Sequence, residues 1–97
     1  MINLQVRGED DTIKARARHG VQWGSELADL DPSAFPMLGH LMPDADTVFN
    51  RRQVYSLLEE VPRLPAGVLT EELTRELVQL CRLVLDGQHL YLWFCGD

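Results

Sequence analysis

Residues 89–97, HLYLWFCGD, decide the fold of this chain. The run is rich in leucine and aromatic residues, contains no proline and comes soon after Gly87, a composition typical of a β-strand. An apolar strand promotes aggregation unless it is paired, so we expect earlier strands to flank it on both sides. Because side chains alternate along a strand, Leu90, Leu92 and Phe94 are predicted to face the core. The side chains predicted on the opposite, outer side are His89, Tyr91, Trp93 and Cys95.

Residues 2–18 have the alternation of a β-hairpin. Apolar and polar side chains alternate on either side of a turn at residues 8–11, which is a hairpin signal. The alternation places Ile13 with Ala15 and Ala17 on an apolar face. The other face is polar and mostly basic, and it is expected to share the outer side of the sheet with Tyr91 and Trp93. Its side chains are Asn3, Gln5, Arg7, Lys14, Arg16 and Arg18.

Residues 19–46 are predicted to form a compact loop. Asp31 followed by proline fits the start of a helical turn, and Ser25 is a candidate cap for another. Pro36 and Pro43 limit any helix between them to a short turn. The apolar side chains of this stretch predict that it packs on the core.

The first predicted helix follows a short extended piece at residues 46–50. Asn50 and Gln53 have the spacing of a capping box, and apolar residues then recur at helical spacing. The helix ends at Pro62 because proline disfavours helical geometry in the residue before it. The pair Glu59-Glu60 is expected on its solvated face.

The second predicted helix begins after Thr70, a natural N-cap, and runs to about Asp86, where Gly87 stops it. Its apolar arc is broad and includes Cys81, so we expect it to be the most buried helix. Residues 1–97 thus predict a single α+β domain. An N-terminal β-hairpin and a C-terminal strand join a three- or four-stranded sheet, with two helices packed on one face.

The distribution of charge favours a protein partner. The net charge is −6, and residues 26–46 contain five acidic residues but no Lys or Arg. An acidic chain repels the phosphates of nucleic acid, which disfavours that class of partner. A basic protein is favoured instead, although acidic surfaces also serve solubility alone. The acidic candidates for partner contact are Glu26, Asp29, Asp31 and Asp46.

Catalytic, cofactor and metal motifs do not stand out in the sequence. His40, Asp44 and Asp46 lack the spacing of a metal-binding loop. Cys81 and Cys95 are expected to be reduced, because two cysteines do not make a disulfide scaffold, and apolar surroundings make such thiols inert. We therefore expect a non-enzymatic protein without cofactor or metal.

The sequence has neither the pattern of a signal peptide nor an apolar run of about 20 residues. We therefore expect a cytoplasmic location without membrane contact.

Two segments carry a resemblance. DTVFNRRQ at residues 46–53 and HLYLWFCGD at residues 89–97 resemble a family of short, uncharacterised bacterial proteins with a DTVFN..Q stretch and an HLYL.F.GD close. The likeness covers about the last two-thirds of the chain. It implies a single cytosolic domain, and no activity comes with it. Cys95 stands where we would expect an aliphatic residue, which suits a core or semi-buried position.

The leading functional hypothesis is a small acidic protein-interaction module of the toxin-neutralising kind, an immunity protein or antitoxin that binds a basic partner. Besides the four carboxylates, its candidate contact residues are Tyr91, Trp93, His89, Arg16 and Arg18. A homodimer through the outer face is a further alternative.

Other functions require other geometry. The main alternative is a small-molecule-binding domain with a pocket between residues 35–50 and the last strand. An enzyme would require His89, Asp46 and Asp97 to converge within hydrogen-bond reach. A recognition edge would require Asp46 to lie beside Arg51 and Arg52.

Overall fold

The computed structural model describes residues 1–96 of the chain. Two 3-10 turns, Leu38–His40 and Val61–Arg63, lie between the regular elements. In chain order those elements are β1 (Asn3–Gly8), β2 (Ile13–Arg16), α1 (Ser25–Ala28), β3 (Thr47–Phe49), α2 (Arg51–Glu60), α3 (Glu71–Asp86) and β4 (Leu90–Cys95). Across the described residues, no helix has the length and hydropathy needed to cross a bilayer.

β4 lies inside the sheet. The four strands are antiparallel in the order β2-β1-β4-β3, so β4 pairs with β1 on one side and β3 on the other. Leu92 and Phe94 are buried under the helices, and the Phe94 ring meets Phe49 edge-on with the ring centroids 5.5 Å apart. The predicted α+β architecture and the flanked position of the last strand are confirmed.

The hairpin carries an irregularity that the alternation did not reveal. Val6 pairs with Ala15, but Arg7 pairs with Ile13, so the register shifts by one residue. Directly opposite residues in an antiparallel pair share a face, and Ile13 therefore lies with Arg7 on the outer side, 37% exposed. The predicted place of Ile13 on the apolar face is wrong because an extra residue in one strand reverses the alternation beyond it.

Both main helices begin at the predicted caps. The Asn50 side chain accepts a hydrogen bond from the Gln53 N–H while the Gln53 side chain accepts one from the Asn50 N–H, each 2.9 Å long. Thr70 Oγ1 accepts from the Leu73 N–H at the start of α3, and Gly87 follows its last residue. The two helices contact each other and the inner side of the sheet. Their buried apolar side chains are Val54, Leu57, Leu73, Leu77, Leu80, Cys81 and Val84.

Residues 19–46 pack on the core as predicted. Leu27, Leu30, Phe35, Leu38 and Leu41 are all buried. The segment contains α1 and the 3-10 turn at Leu38–His40, and Asp31 accepts backbone hydrogen bonds that close a turn between them. Gly24 rather than Ser25 is the N-cap of α1, so that detail of the prediction is wrong.

A buried carboxylate anchors this segment. Glu60, the last residue of α2, is 1% exposed, which contradicts its predicted place on a solvated helix face. Its two oxygens accept hydrogen bonds from the Met37 and Leu38 N–H groups, both 2.9 Å long. Nearby, Arg63 donates to the Ala34 carbonyl at 2.9 Å, and its guanidinium lies 5.1 Å from the centre of the Phe35 ring. The loop is thereby fixed from two sides.

Candidate partner-binding surfaces

The side of the sheet away from the helices, here called the outer face, brings together several predicted contact residues. The strand register aligns Val48, Trp93, Gln5 and Arg16 in one row across the sheet. A second row contains Tyr91, Arg7 and Ile13. Tyr91 and Trp93 are half-buried, whereas Val48 is 41% exposed. Tyr91, Trp93 and Arg16 thus share one face, as the alternation predicts.

Arg7 covers the Trp93 ring. Its guanidinium carbon lies 4.1 Å from the ring centre, where the attraction between a cation and an aromatic face is worth about 0.5–2 kcal/mol. Arg7 Nε also donates to Gln5 Oε1 at 2.9 Å, and Nη2 lies 3.7 Å from Cys95 Sγ. These contacts hold Arg7 flat on the sheet, so the surface offered above Trp93 is a guanidinium rather than a bare indole.

Glu9 joins the hairpin turn to the start of β4. Its Oε1 accepts a hydrogen bond from the Tyr91 hydroxyl at 3.3 Å and lies 3.1 Å from His89 Nδ1. The negative charge of Glu9 raises the pKa of Tyr91, because it disfavours the tyrosinate. His89 lies just before β4 rather than within it, with a φ of 55°, so the turn and not the strand directs its side chain.

Two surface cavities lie on either side of Tyr91. The first, here called the acidic cavity, measures about 450 Å³ and is lined by Glu9 and Asp11 together with Gly8, Val48, Tyr91 and Trp93. The second, here called the basic cavity, measures about 420 Å³ and is lined by residues 50–52 and 88–91. The predicted pocket between residues 35–50 and the last strand overlaps each cavity in part, because that segment contributes Val48 to the acidic cavity and Asn50 to the basic cavity.

Arg18 lies away from the outer face. β2 ends at Arg16, and the Arg18 N–H donates to the Glu76 carboxylate on α3. The His19 N–H and imidazole also contact Glu76, and the hydrogen bond from the His19 side chain holds the pKa of Glu76 below its usual value. The predicted place of Arg18 beside Tyr91 and Trp93 is wrong, because the chain turns towards α3 once the strand ends.

Residues 26–46, here called the acidic segment, form a separate surface. All five of their carboxylates are exposed. Asp31 accepts a hydrogen bond from the Ser33 N–H at 2.9 Å, and Asp46 accepts one from the Gly96 N–H at 3.1 Å. Within residues 1–96, the side chains of Glu26, Asp29 and Asp44 form no hydrogen bond or ion pair. The acidic contact candidates are therefore available to solvent.

The proposed catalytic convergence does not form. Asp46 contacts Gly96 at one end of β4, and His89 precedes the other end. Six strand residues span about 20 Å, well beyond hydrogen-bond reach, and Asp97 lies outside the described residues.

β3 separates Asp46 from Arg51 along the chain, so the two do not form the predicted recognition edge. Among residues 1–96, no three His, Cys, Asp or Glu residues are grouped to hold a metal ion.

The two cysteines differ in their surroundings. Cys81 is fully buried on α3, and burial raises its pKa to about 12. Cys95 is half-buried, and burial raises its pKa while the nearby Arg7 opposes the shift. Both thiols are free, as expected. Raised pKa values remove the thiolate that nucleophilic chemistry needs, so neither cysteine has the character of an activated nucleophile.

Comparison with protein-family models, with curated proteins and with solved structures finds no match. The resemblance in residues 46–53 and 89–97 therefore remains an expectation.

Proposed function

We propose that this protein is a non-enzymatic interaction module whose acidic segment binds a basic protein, most concretely as an immunity protein or antitoxin. The observation that supports the proposal is the exposure of three unpaired carboxylates, those of Glu26, Asp29 and Asp44. These carboxylates are exposed and have no partner within residues 1–96, yet they belong to a segment that is fixed to the core. Charges held in this way are ready to pair with Lys or Arg from another molecule.

Preorganisation gives this arrangement its physical advantage. A flexible acidic loop would lose conformational entropy when a partner orders it, which lowers the net affinity. Here the Glu60 carboxylate holds the Met37 and Leu38 amides, and Arg63 holds the Ala34 carbonyl. The conformational entropy of the loop is thus lost during folding rather than during association.

The net charge supports the same class of partner. With a formal charge of −6, the protein attracts a basic molecule over a distance of about 10 Å at 0.1 M salt. Such steering raises the association rate more than it lowers the dissociation rate. Binding should therefore weaken as the salt concentration rises, chiefly through slower association.

The experiment uses the tagged protein, purified from its native host at low and at high salt. The test variant, Glu26→Gln/Asp29→Asn/Asp44→Asn, neutralises the three exposed carboxylates that have no partner within residues 1–96 and keeps side-chain shape. It takes the net charge from −6 to −3 by removing three negative charges. The control variant, Glu59→Gln/Glu71→Gln/Asp86→Asn, makes the same change of charge at exposed sites outside the acidic segment.

A stoichiometric basic partner that is lost in high salt and with the test variant, but retained with the control, is the expected result. Equal loss with both variants would mean that net charge alone governs association, and the acidic segment would not be the binding site. Recovery of the protein without any partner under all conditions would reject the proposal. A homodimer found by light scattering would instead favour the alternative in which the outer face is a dimer interface.

A further inference from the structure

We propose that the basic cavity binds a small anion attached to a planar ring, such as an aromatic carboxylate or an aryl phosphate. The cavity is lined by two arginines, Arg51 and Arg52, together with Leu90 and Tyr91, whose side chains are largely apolar. Its volume of about 420 Å³ is within the range of about 300–1,000 Å³ found for small-ligand sites. This inference concerns a site separate from the acidic segment and does not rest on the proposed function.

The two arginines have different roles at the rim. Arg51 Nη1 donates to the Gly87 carbonyl at 2.9 Å, so this side chain is held between the start of α2 and the turn before β4. The exposed Arg52 forms no hydrogen bond or ion pair within residues 1–96. A guanidinium offers two parallel N–H groups that match a carboxylate or phosphate. Arg52 is therefore the group that we assign to the oxyanion.

The recognition depends on side chains more than on the end of α2. The Asn50 side chain already accepts the Gln53 N–H, and Gln53 in turn accepts the Asn50 N–H. This reciprocal cap leaves fewer backbone donors for a ligand than an uncapped helix would offer. The positive end of the helix dipole still adds a favourable field for an anion near Arg52.

Glu9 determines how a ligand would lie. Its carboxylate, hydrogen-bonded to the Tyr91 hydroxyl and close to His89, stands on the side of Tyr91 that faces the acidic cavity. A like charge repels an oxyanion from that side. The anionic group should therefore point towards Arg52, while the planar ring packs on Leu90 and Tyr91.

Four probes separate the contributions of ring and charge. We would titrate the isotope-labelled protein with 4-methylbenzoate, phenyl phosphate, inorganic phosphate and the neutral ring compound 4-methylphenol, following amide shifts by NMR at low salt. The two aromatic anions are expected to shift His89, Leu90 and Tyr91 saturably, and their relative affinities distinguish carboxylate from phosphate. Inorganic phosphate and 4-methylphenol, each lacking one half of the ligand, should bind at least about tenfold more weakly.

Matched arginine variants test the assignment. Arg52→Gln should weaken binding of the aromatic anions by about ten- to a hundredfold, the range for losing a charged hydrogen bond. Arg82→Gln removes the same charge from an exposed position on α3 and should leave affinity unchanged. Equal affinity in Arg52→Gln and the unmodified protein, no saturable shift with either aromatic anion, or equal binding of 4-methylphenol would each overturn the proposal. Amide spectra of both variants establish that they are folded.

Discussion

Glu60 provides the sharpest test of how the acidic segment is held. Replacing it by alanine removes both acceptors of the Met37 and Leu38 N–H groups. The Leu38 hydrogen bond is buried, whereas the Met37 hydrogen bond is only partly buried. Water can therefore hydrate the Met37 amide in the variant, but the Leu38 amide loses its acceptor without replacement.

The expected loss is the balance of opposing contributions. Hydrogen bonds to a charged group contribute about 1.5–3 kcal/mol each, and a buried donor without an acceptor costs about 1–3 kcal/mol. Removing the carboxylate also relieves the free-energy cost of burying a charge. We expect Glu60→Ala to lower the free energy of unfolding by about 3 kcal/mol. Glu60→Gln keeps one acceptor but turns an NH₂ group towards the second donor, and should cost about 1–2 kcal/mol.

Urea unfolding at pH 7, followed by tryptophan fluorescence, measures both losses. The neighbouring Glu59→Ala is the control, because Glu59 is exposed and surface substitutions change stability by about 0.5 kcal/mol or less. Hydrogen exchange gives a local measure, since the Leu38 amide should lose its protection in Glu60→Ala. If Glu60→Ala unfolds at the same urea concentration as Glu59→Ala and protection of Leu38 persists, the carboxylate does not anchor the segment.

Three further predictions follow from individual contacts. The pKa of Glu76 is lowered in the folded state, so its contribution to stability is present above its unfolded pKa of about 4.5 and is lost as the pH falls through the folded value. The difference in unfolding free energy between the unmodified protein and Glu76→Gln should therefore shrink between neutral and acidic pH. A constant difference would contradict this. A thiol-reactive disulfide reagent at pH 8 should modify Cys95 slowly and Cys81 only on unfolding, because both thiols are shielded and have raised pKa values. Labelling of Cys81 in the native protein, detected by mass spectrometry, would show that this thiol is not buried. Gly96→Ala should destabilise the protein by about 1–3 kcal/mol through overpacking, because an added Cβ would lie 2.5 Å from the Ala45 carbonyl oxygen. An unchanged midpoint of urea unfolding would show that the two backbones do not approach so closely.

The features predicted correctly from sequence are those with local causes. The caps at Asn50 and Thr70 and the stop at Gly87 each depend on residues a few positions apart. The position of β4 inside the sheet followed from a general cost, the exposure of an apolar strand. These signals do not require knowledge of distant partners.

The errors arise where distant contacts override a local pattern. Glu60 is charged and stands at the C-terminal end of α2, where the helix dipole disfavours a carboxylate, yet the Met37 and Leu38 amides compensate. One signal was present: Glu60 follows Leu57 by three residues and so borders the buried stripe of the helix. Arg18 leaves the outer face because Glu76, far away in sequence, binds its backbone.

The candidate surfaces were only partly predictable for the same reason. Tyr91, Trp93 and Arg16 share a face because strand periodicity places them there. The cover that Arg7 forms over Trp93 and the contacts of Glu9 with His89 and Tyr91 depend on strand register. That register is the pairing of β1 with β4, two strands far apart in sequence, so no local pattern sets it. The one-residue shift in the hairpin is a separate irregularity between β1 and β2, which the alternation of residues 13–18 does not reveal.

The central position of β4 implies that the protein can be divided into two complementing fragments. β1 and β3 both pair with Leu90–Cys95 and not with each other. A fragment ending in the turn at Gly87 would hold the hairpin, β3 and the helices but would lack the strand that joins them. A synthetic peptide of residues 88–97 would supply that strand in trans. Reassembly would then report whether two other proteins, each fused to one fragment, have met.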